Sequence, residues 1–147
     1  MSEKLGPIVA EVEIARSAEH VWRIMTSDAT APNWLGCMEY EKRIGAVFYM
    51  QQDREKAQRG DISGATHCEI LALEEPALFK FSWFVPGFPA TIVSFAVEAT
   101  ASGGSRVTLR HDGWDQFEPD QIRAIRDMLD GGWRSFVLPN LKRVAEI

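Results

Sequence analysis

The last thirty residues, Glu118 to Ile147, constrain the fold more than any other stretch of the sequence. Apolar side chains recur there at helical spacing and share one broad face, which predicts one long amphipathic helix. Those apolar positions are Ile122, Ile125, Leu129, Trp133, Phe136, Val137, Leu141 and Val144. Gly131, Gly132 and Pro139 interrupt the pattern. Glycine costs about 1 kcal/mol relative to alanine inside a helix and proline lacks an N–H donor, so we expect a kink or break there.

The first third of the chain predicts a strand followed by two short helices. Apolar and polar residues alternate over 7–15, which is typical of a strand with one buried face. Ser17 is a favourable helix N-cap, and apolar residues follow it at helical spacing. A second short helix is predicted over 29–34, ending near Gly36.

The middle of the chain predicts a run of strands. We place them around 38–42, 46–51, 65–73, 78–84, 91–99 and 105–112, with 52–64 as an exposed hairpin connection. Strands that are separated in sequence from the helices favour an α+β fold. We therefore expect a curved antiparallel sheet of about six or seven strands, two short helices after strand one, and the long C-terminal helix packed across the sheet. A chain of 147 residues is long enough for one domain with one core.

Charge and composition restrict the partners. The 21 acidic and 16 basic residues give a formal charge of −5 and form no basic run, so nucleic acid and anionic membrane surfaces are not expected partners. No stretch approaches the roughly 20 apolar residues of a membrane span, and the N-terminus lacks the layout of a signal peptide. We expect a cytoplasmic protein in which Cys37 and Cys68 are reduced and buried.

Aromatic residues give the positive signal for a binding site. The chain has 5 Trp and 8 Phe, and a curved sheet crossed by one helix seldom closes without a gap. Apolar walls with a few polar groups are typical of small-molecule pockets. The predicted ligand-binding residues are Met25, Trp34, Phe48, Met50, Phe79, Phe81, Trp83, Phe95, His111, Trp114, Leu129, Trp133 and Phe136. The competing interpretation of each aromatic residue is ordinary core packing.

A catalytic or metal centre finds little support in the sequence. His111 shares its strand parity with Val107 and Leu109, so it points inward and is the one weak candidate for an acid or base. A hydrogen-bonded core histidine is the alternative. The histidines and cysteines have no ligand spacing on any one element, so we predict no metal and no cofactor.

Four segments in order resemble a known family: residues 12–36, 70–83, 95–114 and 131–146. Together they are similar to homologues of the activator of heat-shock protein 90 ATPase, in the START-like, birch-pollen-allergen-like superfamily (SRPBCC). The resemblance implies a helix-grip fold over 1–147, in which the sheet wraps around the C-terminal helix and encloses an apolar pocket.

Three functions remain open at this point. The first is a non-catalytic binding protein for a hydrophobic or aromatic small molecule, held between the sheet and the C-terminal helix. The second is a cyclase or hydrolase that uses His111, and the third is a module that interacts with the chaperone. We favour the first, and a homodimer is possible because aromatic residues of the loop 85–89 could form a contact.

Overall fold

A computed structural model describes residues 4–147 of the chain. Within those residues, a six-stranded antiparallel sheet curves around helices packed on one face. In chain order, the strands are β1 (Ile8–Ile14), β2 (Val47–Met50), β3 (Thr66–Glu74), β4 (Leu78–Trp83), β5 (Thr91–Ala99) and β6 (Ser105–Asp112). The helices are α1 (Ala18–Thr26), α2 (Ala31–Leu35), α3 (Arg54–Gln58), α4 (Pro119–Gly132) and α5 (Leu138–Ala145). A π-helical turn over Trp133–Val137 joins α4 to α5.

The strand order places the first strand beside the last. It is β1-β6-β5-β4-β3-β2, so β2 to β6 form a meander while β1 and β2 are the two edges. Alternate residues of the strands face the helices. The inward residues of β4, Phe79, Phe81 and Trp83, are buried, whereas the residues between them are partly exposed. The predicted α+β helix-grip fold is confirmed.

One predicted strand in the middle of the chain is wrong, and the predicted connection 52–64, which does join the antiparallel strands β2 and β3, holds a helix that was not predicted. Residues 38–42 form no strand, because only Met38 pairs with Tyr49 in an isolated bridge. The predicted hairpin connection 52–64 contains the helix α3, which begins after Asp53, whose side chain accepts a hydrogen bond from the Lys56 N–H. This short capped helix has no buried residues, so the charged and polar sequence gave no apolar periodicity from which to predict it.

The C-terminal helix contains a wide turn rather than a break. Pro139 cannot donate to the carbonyl of Ser135, so the α-helical register fails at this point. The N–H of Leu138 instead bonds to the carbonyl of Trp133, five residues back. One additional residue in the turn rotates everything that follows by roughly 100° about the helix axis. The expected irregularity is present, but the helix continues through it.

That rotation changes which residues face the sheet. After Trp133, the next buried residues are Leu138, Leu141 and Ala145. Phe136, which a regular helix would place on the buried face, is 74% exposed. The uniform helical spacing predicted from the sequence is therefore wrong beyond Trp133.

Three basic side chains fasten the C-terminal helix to β1 and to the two residues that precede it. Arg126 donates to the carbonyls of Gly6 and Pro7, Arg134 to that of Val9 at 2.7 Å, and Lys142 to that of Glu13 at 2.9 Å. Because β1 is an edge strand, half of its backbone groups have no strand partner. The helix side chains satisfy two of them, the carbonyls of Val9 and Glu13, and hold the helix at this side of the sheet.

Candidate functional site

A pocket lies between the C-terminal helix and the opposite edge of the sheet, and we call it the helix pocket. Its volume is about 610 Å³. It is lined by Leu35, Gly36, Met50, Gln51, Gln52, Asp127, Met128, Leu129, Gly131, Gly132, Trp133, Ser135, Phe136 and Val137. These residues come from the end of α2, the end of β2, α4 and the π-helical turn. The helix is fastened at β1, so the pocket forms where the helix faces β2.

The glycine pair makes room on the helix side of the pocket. A Cβ atom added at Gly131 or Gly132 would meet no other atom within 4 Å. Both residues lie in the last turn of α4, and Gly132 has ordinary helical angles of φ −65° and ψ −45°. Neither glycine is therefore required by the backbone conformation, and their effect is to leave the helix surface open.

The π-helical turn supplies the floor and the rim of the pocket. Trp133 is buried at its start, while Phe136 and Met128 are 74% and 62% exposed at the mouth. Single π-helical turns inside α-helices are frequently found at functional sites. Here the turn presents Trp133 and Phe136 to the same space, and Met128 of α4 adds a second apolar side chain at the mouth.

Four of the thirteen predicted binding residues line the helix pocket: Met50, Leu129, Trp133 and Phe136. The others lie in the core and do not line it. They are Met25, Trp34, Phe48, Phe79, Phe81, Trp83, Phe95, His111 and Trp114. The ligand contacts themselves stay a prediction.

Several lining residues were absent from the sequence prediction. Asp127, Gln51, Gln52 and Ser135 are polar and gave no apolar signal, whereas Leu35 and Gly36 end a short helix whose position depends on the tertiary fold. The sequence predicts the glycine pair only as an irregularity of the helix. Its lack of side chains was the available signal for a pocket.

The core aromatics support the pocket floor from behind. The ring of Phe95 lies 6.0 Å from that of Trp133 and 5.2 Å from that of Trp34, in edge-to-face arrangements. The Trp34 indole N–H donates to the carbonyl of Met25 at 3.0 Å. A close-packed aromatic layer therefore fixes the position of Trp133.

His111 is a buried, fully hydrogen-bonded residue behind the same floor. The Trp133 indole N–H donates to Nδ1 of His111 at 3.1 Å, so Nε2 carries the hydrogen. Nε2 lies 2.7 Å from Oγ1 of Thr91, which in turn donates to the carbonyl of Trp83 at 2.8 Å. The inward orientation predicted from strand parity is confirmed. Both ring nitrogens are engaged, so proton transfer to a substrate would require one of these bonds to break.

Burial also opposes protonation of this histidine. It lowers the pKa of His111 to about 3, because desolvation disfavours the imidazolium, and Arg126 acts in the same direction while Asp112 opposes it. At neutral pH, His111 is therefore a neutral group that orients Trp133.

The two cysteines are free and buried. Burial raises the pKa of Cys37 to about 12 and that of Cys68 well above its usual value. Neither thiol has the thiolate character that nucleophilic or metal-binding cysteines need. Within residues 4–147, no group of three or more His, Cys, Asp or Glu side chains could hold a metal ion, and no helix is long and apolar enough to cross a membrane.

A curved antiparallel sheet closed around a C-terminal helix, with an apolar pocket against that helix, defines the START-like class of helix-grip folds. The family model described as "Activator of Hsp90 ATPase homolog 1-like protein" matches residues 15–146. The chain belongs to this family.

Solved structures share the fold over nearly the whole chain. A protein of Mesorhizobium loti is 25% identical, with a TM-score of 0.70 over 95% of this chain and 93% of that chain. An Hsp90 activator from Plasmodium falciparum is 13% identical, with a TM-score of 0.73 over 95% and 96%. The Aha1 dimer from Colwellia psychrerythraea is 17% identical, with a TM-score of 0.68 over 97% and 98%. No curated protein sequence matches the chain.

Proposed function

We propose that the chain binds a hydrophobic or aromatic small molecule in the helix pocket without transforming it. The observation that carries this proposal is a pocket of about 610 Å³ walled by Met50, Met128, Leu129, Trp133 and Phe136. Pockets for drug-sized ligands span roughly 300–1,000 Å³ and are mostly apolar. Methionine side chains at the wall and rim adapt to ligands of different outline.

The engagement of His111 favours binding over catalysis. A general acid or base acts near neutral pH when its pKa lies near that value and one of its nitrogens reaches the substrate. The pKa of His111 is lowered to about 3, and Trp133 and Thr91 occupy its nitrogens.

Native mass spectrometry of the purified protein, with a thermal-shift screen of lipids and aromatic metabolites, tests the binding proposal. We expect at least one apolar compound to add a bound mass and to raise the melting temperature, since a ligand specific for the folded state stabilises it. The chain has 5 tryptophans, so quenching by the same compound that is lost in Trp133→Phe would place it in the helix pocket. A screen in which no compound raises the melting temperature contradicts the proposal.

An interaction with Hsp90 is the second candidate function, and membership of the activator family supports it. A pull-down with purified Hsp90 and an ATPase assay test this candidate. Retention on the chaperone with a faster ATPase rate is the supporting result. No retention and an unchanged rate would remove it.

A homodimer is a further proposal. The dimer from Colwellia psychrerythraea supports it, as does Phe88, which is exposed in the loop after β4. Light scattering after gel filtration should show a dimer that Phe88→Ser converts to a monomer. A monomer at every concentration contradicts it. We also propose a cytoplasmic location, supported by the two free cysteines, and one START-like domain over 1–147, supported by the family match.

A further inference from the structure

The polar groups of the helix pocket are unbalanced in charge. Asp127 is its one ionisable side chain, and no lysine, arginine or histidine of the described chain lines it. The formal charge of the whole protein, −5, has the same sign as Asp127. A ligand with a positive group therefore meets a favourable field at the pocket, whereas a carboxylate meets an unfavourable one.

Hydrogen-bond donors that an anion would need are already committed. The indole N–H of Trp133 donates to His111, away from the pocket. The amide nitrogen of Gln51 donates to the carbonyls of Asp61 and Ser63, both at 3.0 Å. Among the side chains that line the pocket, mainly those of Gln52 and Ser135 remain to donate hydrogen bonds to a ligand.

The carboxylate of Asp127 remains accessible. Asp127 forms an ion pair with Arg126, whose Nη1 lies 3.6 Å from Oδ1, beyond normal hydrogen-bond distance. The other nitrogens of Arg126 donate to Gly6 and Pro7 on the β1 side of the helix. The Asp127 side chain is 64% exposed, so its oxygens can accept from a ligand.

From these observations we propose that the helix pocket selects amphiphiles with an apolar aromatic body and a cationic amine over those with a carboxylate, and that Asp127 determines this specificity. The inference rests on the proposed binding function. Trp133, Leu129 and Met50 would contact the apolar body, while Asp127 at the mouth would accept hydrogen bonds from the ammonium group.

Three probes with the same naphthalene body distinguish the charge selectivity from the binding function on which it rests. They are 1-naphthylmethylamine, 1-naphthalenemethanol and 1-naphthylacetate. Isothermal titration at pH 7 and low salt should give the tightest binding for the amine, about two- to fivefold tighter than the alcohol, with the acetate weakest. High salt should reduce the difference, because it screens exposed charges.

The matched variants are Asp127→Asn and Asp120→Asn. Both remove one negative charge from α4, but Asp120 is not a lining residue. We expect Asp127→Asn to equalise the amine and the alcohol, and Asp120→Asn to keep the preference. Equal binding of all three probes to the wild type, or an unchanged preference in Asp127→Asn, would overturn the charge selectivity while leaving the binding function in place. Failure of the neutral alcohol to bind counts against the binding function itself.

Discussion

His111 and Trp133 act together at the scale of single residues. The histidine holds the indole by its N–H, and the indole face becomes the floor of the helix pocket. Truncation of the histidine would leave the N–H of Trp133 buried without a partner, which costs about 1–3 kcal/mol. His111 is thus a positioning residue for a wall of the helix pocket that it does not itself line.

The lowered pKa of His111 predicts how stability depends on pH. Between its usual value of 6.5 and the folded value of about 3, the unfolded state binds more protons than the folded state. The contribution of His111 to stability is therefore complete above pH 6.5 and decreases by up to about 1.4 kcal/mol for each pH unit below it. Urea unfolding at pH 7.5 and 5.0 measures the loss.

An NMR titration assigns the effect to this residue. The His111 ring signals should stay those of the neutral Nε2–H tautomer down to pH 5. A titration midpoint near pH 6.5 in the folded protein would contradict the buried, bonded state.

Arg134 provides a test at the scale of the C-terminal helix. Its guanidinium bonds to the carbonyl of Val9 on β1 and to Asp130 within the helix. Arg134→Met should lower the free energy of unfolding by about 0.5–1 kcal/mol, since it removes a hydrogen bond from a charged donor to a carbonyl that water can still reach. Arg123→Met is the control, because it removes the same charge from an exposed position of the C-terminal helix. Equal losses in both variants would show that the bond to β1 contributes nothing.

Gly132 tests whether the open helix surface serves the pocket. Gly132→Ala should raise the free energy of unfolding by up to about 1 kcal/mol through helix propensity. The new methyl group enters the pocket, so we also expect the Kd of a confirmed ligand to change by about five- to tenfold. Urea unfolding of the variant measures its stability, and isothermal titration measures the Kd. A changed stability with an unchanged Kd would make the glycine merely structural.

Strong local patterns predicted most elements of the fold. The predicted strands 91–99 and 105–112 match the observed bounds. Strict alternation defines both strands, and the TASGG turn fixes the end of the first and the start of the second. The π-helical turn escaped prediction because a helical projection assumes a constant 3.6 residues per turn. The buried residues Trp133 and Leu138 are five positions apart in the sequence. Phe136 and Val137, three and four positions after Trp133, fit a regular helix equally well, so the sequence could not reveal the wider spacing.

The sequence predicted a pocket against the C-terminal helix, but the location of that pocket at the β2 edge depends on the whole molecule and could not be predicted. Inward aromatics such as Phe79, Phe81 and Phe95 pack against one another and fill the centre. The space is left instead at the β2 side, because the basic side chains fasten the helix at β1. Periodicity in the sequence identifies which residues point inward. Whether the helix packs more closely against β1 or against β2 decides where a gap remains, and periodicity does not show this.

Filling the helix pocket is the most direct test of the binding function. Gly132→Leu places a side chain into the pocket without backbone strain, because Gly132 has helical angles and open space around it. Ala124→Leu adds the same side chain to an exposed position of α4 outside the pocket. Isothermal titration with a ligand from the thermal-shift screen should show binding to the wild type and to Ala124→Leu. Gly132→Leu should fold and show no binding heat. Wild-type affinity in Gly132→Leu would contradict the helix pocket as the ligand site.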